Sequence, residues 1–395
     1  MFGRKINTDT QMIDELLTRG TEEVIDGEHL KKRLLKGEQL RVKLGIDPTS
    51  PSIHLGRAVL LWKLRQFQDL GHKAVFIVGD FTGQIGDTSD KESERPGLSE
   101  EEVKRNMKTY FDQAFKILDK NRTEAHYNSK WLSAIGYRDI DEMLELFSLH
   151  EFEARENIAK RLTAGKRVSL RELLYPLMQG YDSVAIKADV ELGGTDQKYN
   201  LLAGRVIQKH YGQSPQDIMI MKFPLLGLDG RKMSSSWGNV INITDEPNDM
   251  FGKVMSINDN LITHYFDMTT QVSSGEIREV EEDIKKGENP RDIKLHLAEE
   301  IVKRYHGAAV AQKARDEWER VFSKGELPSE MESLSGDMPL ALFVKNWLNV
   351  SHSEAKRLIS EGAVSINNEV VKEWGREVKS GDIVRSGPKN FVKAK

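Results

Sequence analysis

No cysteine occurs anywhere in the chain, which excludes disulfides, thiolate metal sites and a cysteine nucleophile. No apolar run approaches the roughly 18 residues of a membrane-spanning helix. The opening Met1-Phe2-Gly3-Arg4-Lys5 leads into a polar amphipathic helix rather than a secretory signal. A soluble, cytoplasmic protein without a membrane partner is therefore expected. A large excess of either charge is missing too. The formal net charge is −4, which excludes a uniformly basic nucleic-acid coat but not a local basic face. What is present is length and apolar content, 395 residues of which 38% are hydrophobic, enough for a large core and two or three domains.

Two short segments about 180 residues apart carry the chemistry. The first is Gly45-Ile46-Asp47-Pro48-Thr49-Ser50-Pro51-Ser52-Ile53-His54-Leu55-Gly56-Arg57. Residues 42–46 read as an apolar strand, and Asp47-Pro48-Thr49 ends it because proline cannot continue a central ladder. From His54 the period turns helical, through Leu55, Val59, Leu60, Trp62, Leu64, Phe67 and Leu70. His54 and Gly56 thus stand near a helix N-terminus, where free N–H groups and the helix dipole favour an anion. The second segment, Leu228-Asp229-Gly230-Arg231-Lys232-Met233-Ser234-Ser235-Ser236, is a turn followed by a cation and three hydroxyls. It reads as a mobile polar loop whose donors can follow a pyrophosphate as charge develops on it. Alone, the first is compatible with an ordinary strand–helix connection and the second with a solvated loop. Together they point to a site that grips nucleoside triphosphate phosphates from two sides.

This pair resembles the two signatures of class I aminoacyl-tRNA synthetases. Leu174-Tyr175-Pro176-Leu177-Met178-Gln179-Gly180-Tyr181-Asp182-Ser183 resembles the substrate-binding helix of tyrosyl-tRNA synthetases, bacterial branch, with Tyr175, Gln179 and Asp182 on one helix face. The resemblance implies that Tyr175 and Gln179 hold the substrate ammonium and that Asp182 accepts a hydrogen bond from the phenol. Phenylalanine would leave that carboxylate desolvated and unpaired. Asp80-Phe81-Thr82-Gly83-Gln84-Ile85-Gly86-Asp87 resembles the family's T-G-x-x-G-D turn, which puts Thr82 in the pocket and Asp87 at the ammonium. Glu191-Leu192-Gly193-Gly194-Thr195-Asp196-Gln197 resembles its G-G-[ST]-D-Q turn, with Gly194 close to adenosine, Asp196 on the ribose and Gln197 near the reacting carboxylate. Asn128 matches a position beside the tyrosine pocket. For ATP the resemblance implies Gly45, Asp47, His54, Gly56, Gly194, Asp196, Lys232, Met233 and Ser235, and for catalysis Thr49, His54, Arg57, Lys232 and Ser234. Two departures stand out: Arg57 replaces the second histidine of the first signature, and Ser235 replaces the second lysine of K-M-S-K-S. Lys232 must then carry more of the pyrophosphate stabilisation. No tyrosine stands at Lys43 or Leu44, where some members place one against the phenol, so Asp182 is the main phenol reader.

The implied fold is α/β: a Rossmann-like doubly wound parallel sheet with a helical insertion, followed by an α-helical domain and a small α+β S4-like domain. Its expected bounds are 1–228 for the catalytic domain, with the insertion and dimer interface at about 97–165. The loop and anticodon-binding helices take 229–325, a linker 326–336 and the S4-like domain 337–395. Residues 1–35 read as helices with Thr8 and Thr10 as caps, and strands are expected near 42–46, 74–79, 189–192 and 219–223. Helices are expected over 100–118, 139–149, 151–162 and, with breaks, 245–322. Beyond the linker come helices 339–348 and 353–361, capped by Ser351 or Ser353, and strands 363–366, 369–371 and 383–385. Residues 337–395 hold ten Lys/Arg against seven Asp/Glu, net +3, so residues 1–336 carry −7. That change of sign suits an RNA-facing module, and residues 353–364 resemble the S4 RNA-binding fold. The partners implied are tRNA(Tyr), L-tyrosine, ATP as its magnesium complex and a second copy of the chain, with no protein-bound structural metal. Alternatives are a tryptophanyl enzyme, a non-tRNA nucleotidylyl transferase of the same superfamily, and a non-catalytic RNA-binding protein on this scaffold.

Overall fold

The computed structural model describes residues 6–87, 97–222, 224–323, 326–327, 331–387 and 390–395. It divides into Met1–Gln312 and Lys313–Lys395. The first is built on a six-stranded sheet: β1 Thr21–Ile25, β2 Arg41–Ile46, β3 Lys73–Val78, β4 Thr123–Tyr127, β5 Val190–Gly194 and β6 Asp217–Met221, in the order β1-β6-β5-β2-β3-β4. All pairings are parallel except β1 against β6. The expected parallel sheet thus has an antiparallel edge. β3, β5 and β6 are buried nearly throughout, because helices cover a parallel sheet on both faces and its strands need apolar side chains on both sides.

The reading of residues 1–35 as helices alone is corrected by β1, which lies between helices Thr10–Thr18 and Gly27–Leu35. The first helix is capped by Asp9, whose side chain accepts from the Met12 N–H at 2.9 Å, not by Thr8 or Thr10. β4 was likewise not foreseen inside the insertion. The helix expected over 100–118 is broken into Glu100–Met107 and Tyr110–Ala114. Those expected over 139–149 and 151–162 become Tyr137–Glu145, Leu149–Glu153 and Glu156–Thr163. Phe223, at the end of the strand expected over 219–223, and linker residues 328–330 lie outside the described residues.

Helix Leu55–Asp69 follows β2 and buries Leu55, Ala58, Val59, Leu61, Leu64 and Phe67. Helix Arg171–Ile186 and helix Lys198–His210 flank β5 in sequence and pack on one another. They meet closely because a Cβ at Gly180 would lie 2.6 Å from the Ile207 Cδ1 and 3.2 Å from the Gly204 backbone. Downstream, helices Pro247–Met255, Ile262–Thr269, Ser274–Lys286 and Pro290–His306 fill the rest of this unit. Residues 241–243 return to the first signature: the Leu55 N–H donates to the Ile241 carbonyl at 2.8 Å and the Ile243 N–H to the Ile53 carbonyl at 3.0 Å.

The second unit carries helices Leu340–Leu348 and His352–Ser360 and a sheet containing strands Val364–Ile366, Glu369–Val370, Ile383–Ser386 and Asn390–Ala394. Ser351 caps the second helix, accepting from the Glu354 N–H at 3.1 Å. Asn367 and Asn368 both take positive φ, 51° and 70°, as a two-residue hairpin of this hand requires. Phe343, Val344, Ile359, Val364, Val384 and Val392 share its core.

Candidate functional site

A cavity of about 420 Å³ opens at the C-terminal ends of β2, β3 and β5, where a doubly wound sheet places its ligands. Every residue singled out in the sequence lines it except Gly56. Gly56 is buried, and its N–H points to the Met233 sulfur at 3.4 Å. A Cβ there would come within 3.1 Å of His54 Nδ1, so this glycine seats the histidine ring and the second segment rather than touching the cavity.

The turn after β2 is held by its own polar groups. Asp47 accepts from the Thr82 hydroxyl at 2.7 Å and from the Tyr175 hydroxyl at 2.9 Å. Gly79 lets this happen: a Cβ on it would sit 2.0 Å from an Asp47 carboxylate oxygen and 2.3 Å from the Thr82 hydroxyl. Arg57 donates to the Asp47 carbonyl at 3.2 Å, to the Tyr110 hydroxyl at 2.8 Å and to the Thr49 hydroxyl, so it braces the turn. His54 caps the helix start without a side-chain cap bond and is 5% exposed. Burial, with the Arg57 and Lys232 charges behind it, pushes its pKa down to about 3. The ring is neutral at working pH and keeps one N–H as a donor. NMR of the ring should show the neutral-imidazole shifts of His54 unchanged from pH 8 to pH 5. A midpoint near the usual value of about 6.5 would contradict this placement.

The second segment arrives as a braced loop. The Met233 N–H donates to the Leu225 carbonyl at 2.9 Å, and Gly230 turns at φ +77°. Buried Asn239, which no motif flagged, donates to Asp229 at 2.6 Å and to the Lys232 carbonyl at 3.1 Å, and accepts from the Ser234 N–H at 2.8 Å. Lys232 Nζ lies 3.1 Å from Asp196 across the cavity, and the Ser235 hydroxyl reaches Ser50 of the first segment at 3.0 Å. Arg231 turns away, bonded to Asp229 and stacked over Trp237 at 4.6 Å.

On the other side, Asp182 is 4% exposed. It accepts from the Trp131 indole N–H at 2.7 Å and from Asn128 Nδ2 at 3.3 Å. Asn128 in turn accepts from the Phe81 N–H at 3.0 Å and donates to the Thr82 hydroxyl at 3.0 Å. Burial pushes the Asp182 pKa up to about 7 against the opposing Lys43 charge and the two donors. Trp131 was missed by sequence reasoning, although it lies three residues after Asn128. Gln179 and Gln197 are joined through Asn200, and Gln197 also donates to Asp87 at 2.5 Å. The arrangement has a buried acceptor on one wall, an amide and carboxylate group beside it, and a cation with hydroxyl donors opposite. It suits a small zwitterion with a hydrogen-bonding tail, set next to a polyphosphate.

Known proteins agree with this architecture. Residues 35–323 match the model for tRNA synthetases class I (W and Y), and residues 338–384 match the S4 domain. A tyrosine–tRNA ligase from Dehalococcoides mccartyi strain CBDB1 is 44% identical over 98% of this chain and 100% of its own length. One from Carboxydothermus hydrogenoformans is 46% identical over 96% of both chains. Among solved structures, a tyrosyl-tRNA synthetase complexed with L-tyrosine from Archaeoglobus fulgidus superposes with TM-score 0.61 at 22% identity, covering 78% of this chain and 100% of that one. A tryptophanyl-tRNA synthetase from Plasmodium falciparum gives TM-score 0.57 at 16% identity, covering 78% of this chain and 88% of that one. At such identities the structural likeness speaks for the fold alone.

Proposed function

Because the chain belongs to the class I tRNA synthetases of the tryptophan and tyrosine type, we propose that it activates L-tyrosine with ATP and transfers it to the 3′ end of tRNA(Tyr). The buried Asp182 carboxylate in the pocket wall carries the choice of tyrosine over phenylalanine, since a phenyl ring has no donor to offer it. Relatives at 44–46% identity over nearly the whole chain are tyrosine–tRNA ligases, which supports the same choice.

Two steps follow. The tyrosine carboxylate attacks the α-phosphorus of ATP in line, forming tyrosyl-adenylate and releasing pyrophosphate. The terminal ribose hydroxyl of the tRNA then attacks the adenylate carbonyl, and AMP leaves. The first step needs no protein base, because the attacking carboxylate is already ionised. Its rate comes from positioning and from donors that strengthen as charge moves to the leaving group. In this reading His54, Lys232 and Ser234 are those donors, Thr49 faces the phosphates through the turn that Arg57 braces, and Gly194 and Asp196 take the adenosine. Magnesium arrives with the triphosphate. Tyr175, Gln179 and Asp87 receive the ammonium, and Gln197 lies near the reacting carboxylate.

Among the described residues no helix is long and apolar enough to cross a membrane. Tyr137, Leu149 and Leu162 are exposed on the insertion, and in this proposal a second copy of the chain covers them. The +3 tail segment, which matches the S4 domain, would hold the tRNA through its backbone.

Asp182 makes tyrosine use depend on pH. With its pKa pushed up to about 7, the carboxylate is protonated below that value and becomes a poorer acceptor for the phenol. The expected result is that kcat/KM for tyrosine falls with acid below pH 7, by up to about tenfold per unit, while KM for ATP does not follow. The same profile in Asp182→Asn should lose this limb. Charging of tRNA(Tyr) transcript with labelled tyrosine, against labelled tryptophan, tests the overall reaction, and charging with tryptophan would overturn the reading.

A further inference from the structure

Beneath the amino-acid side of the pocket lies a buried ion pair that no signature includes. Lys43 on β2 and Glu191 on β5 are register partners in adjacent central strands, 0% and 1% exposed, with Nζ 2.8 Å from Glu191 Oε1. The three Nζ hydrogens are used by Glu191, by the Ser183 hydroxyl at 2.8 Å and by the Gln179 carbonyl at 2.7 Å. Glu191 also accepts from the Ser183 hydroxyl at 3.1 Å and from Gln216 Nε2. Its remaining contact is with the Gln179 side chain, whose Nε2 donates to Glu191 Oε1 at 3.1 Å.

An ionised carboxylate only accepts, so it fixes which end of a glutamine amide faces it. The other end of Gln179, Oε1, accepts from Asn200 Nδ2 at 3.1 Å, and the second Asn200 hydrogen goes to Gln197 Oε1 at 3.1 Å. Gln197 closes the series by turning its own Nε2 to Asp87. A carboxylate at each end, Glu191 and Asp87, therefore sets the direction of every amide between them, and Gln179 Oε1 keeps one lone pair for an N–H from the cavity. We propose that Glu191, charge-balanced by Lys43, is a positioning residue for amine recognition: it locks the Gln179 amide with its oxygen toward the substrate ammonium.

This rests on the reading of Gln179 as an ammonium acceptor, and the experiment separates the two. In Glu191→Gln the new side chain can donate as well as accept, so the Gln179 amide loses its carboxylate anchor and is held only from the Asp87 end, through Asn200. Tyrosine, and 3-(4-hydroxyphenyl)propanoate as the same molecule without its amine, are compared in the intact protein by pyrophosphate exchange and competitive inhibition. Glu191→Gln should raise KM for tyrosine about tenfold or more, with kcat within a few-fold and KM for ATP unchanged. The inhibition constant of the amine-free analogue should stay the same. Lys43→Met/Glu191→Met, which removes both charges, should lose the same amine preference and serves if the single variant does not fold. Gln179→Leu is the control. If it also abolishes the preference for the amine, an unchanged preference in both Glu191 variants overturns the positioning role alone. If Gln179→Leu leaves the preference intact, the ammonium reading itself fails. Equal weakening of both ligands in the Glu191 variants would mean a merely structural pair, and would also overturn the proposal.

Discussion

Replacing Asp182 by alanine should lower kcat/KM for tyrosine in pyrophosphate exchange by on the order of 10²–10³, with KM for ATP nearly unchanged. A hydrogen bond to a charged group is worth about 1.5–3 kcal/mol, and each 1.4 kcal/mol is tenfold. The remainder comes from what the alanine leaves behind. The part-buried Trp131 indole N–H and the buried Asn128 amide both point at the missing carboxylate, and unmade hydrogen bonds there add to the loss of the phenol contact. Asp182→Asn keeps the shape but offers one acceptor oxygen, so it should fall between wild type and alanine. A loss shared equally by tyrosine and ATP would instead mean that the substitution disturbs the whole pocket.

The second large effect belongs to the loop. Lys232→Met should reduce kcat of the activation step by about 10²–10³ while KM for tyrosine stays close to its wild-type value. The geometry explains why one lysine carries so much. Ser235 supplies a hydroxyl where a second cation would stand, and Arg231 is turned outward onto Asp229 and Trp237. Lys232 faces Asp196 across the cavity, where the proposed function puts the nucleotide. Single-turnover rates of adenylate formation separate this effect from binding. A rise in KM for tyrosine at unchanged kcat would assign Lys232 to the amino acid instead.

How legible these features were depended on where each residue sits. The signature residues could be read because they occupy short contiguous segments, the turns after β2, β3 and β5, the loop after β6 and one face of helix Arg171–Ile186, where chemistry and spacing appear together. Strands β2 and β3 could be read as apolar runs. The two strands that were missed, β1 and β4, are the sheet's edges. Each faces solvent along part of its length, so Thr21-Glu22-Glu23-Val24-Ile25 and Thr123-Glu124-Ala125-His126-Tyr127 show neither a buried run nor strict alternation. Within the site, the missed residues support those that were found. Trp131 holds Asp182, Asn239 braces the lysine loop, Gly79 admits Asp47 and Thr82, and Asn200 joins two glutamines. Their partners lie up to 51 residues away in the chain, so no local pattern announces them. Lys43 and Glu191 were visible as charges in apolar strands, but only the register of β2 against β5 makes them a pair.

In the function proposed, this pocket selects tyrosine by its hydroxyl. Pyrophosphate exchange with tyrosine, phenylalanine and tryptophan in parallel, at one pH above 7, tests it most directly. A site built to bond a hydroxyl rejects the analogue without it by ~10⁴–10⁵, a range for which tyrosine-specific synthetases are themselves the reference case. Exchange with tyrosine is expected, with kcat/KM for phenylalanine lower by at least about 10⁴ and none measurable for tryptophan. Exchange with tryptophan, or phenylalanine within about a hundredfold of tyrosine, would contradict it, since a hydrophobic pocket alone gives no more than that.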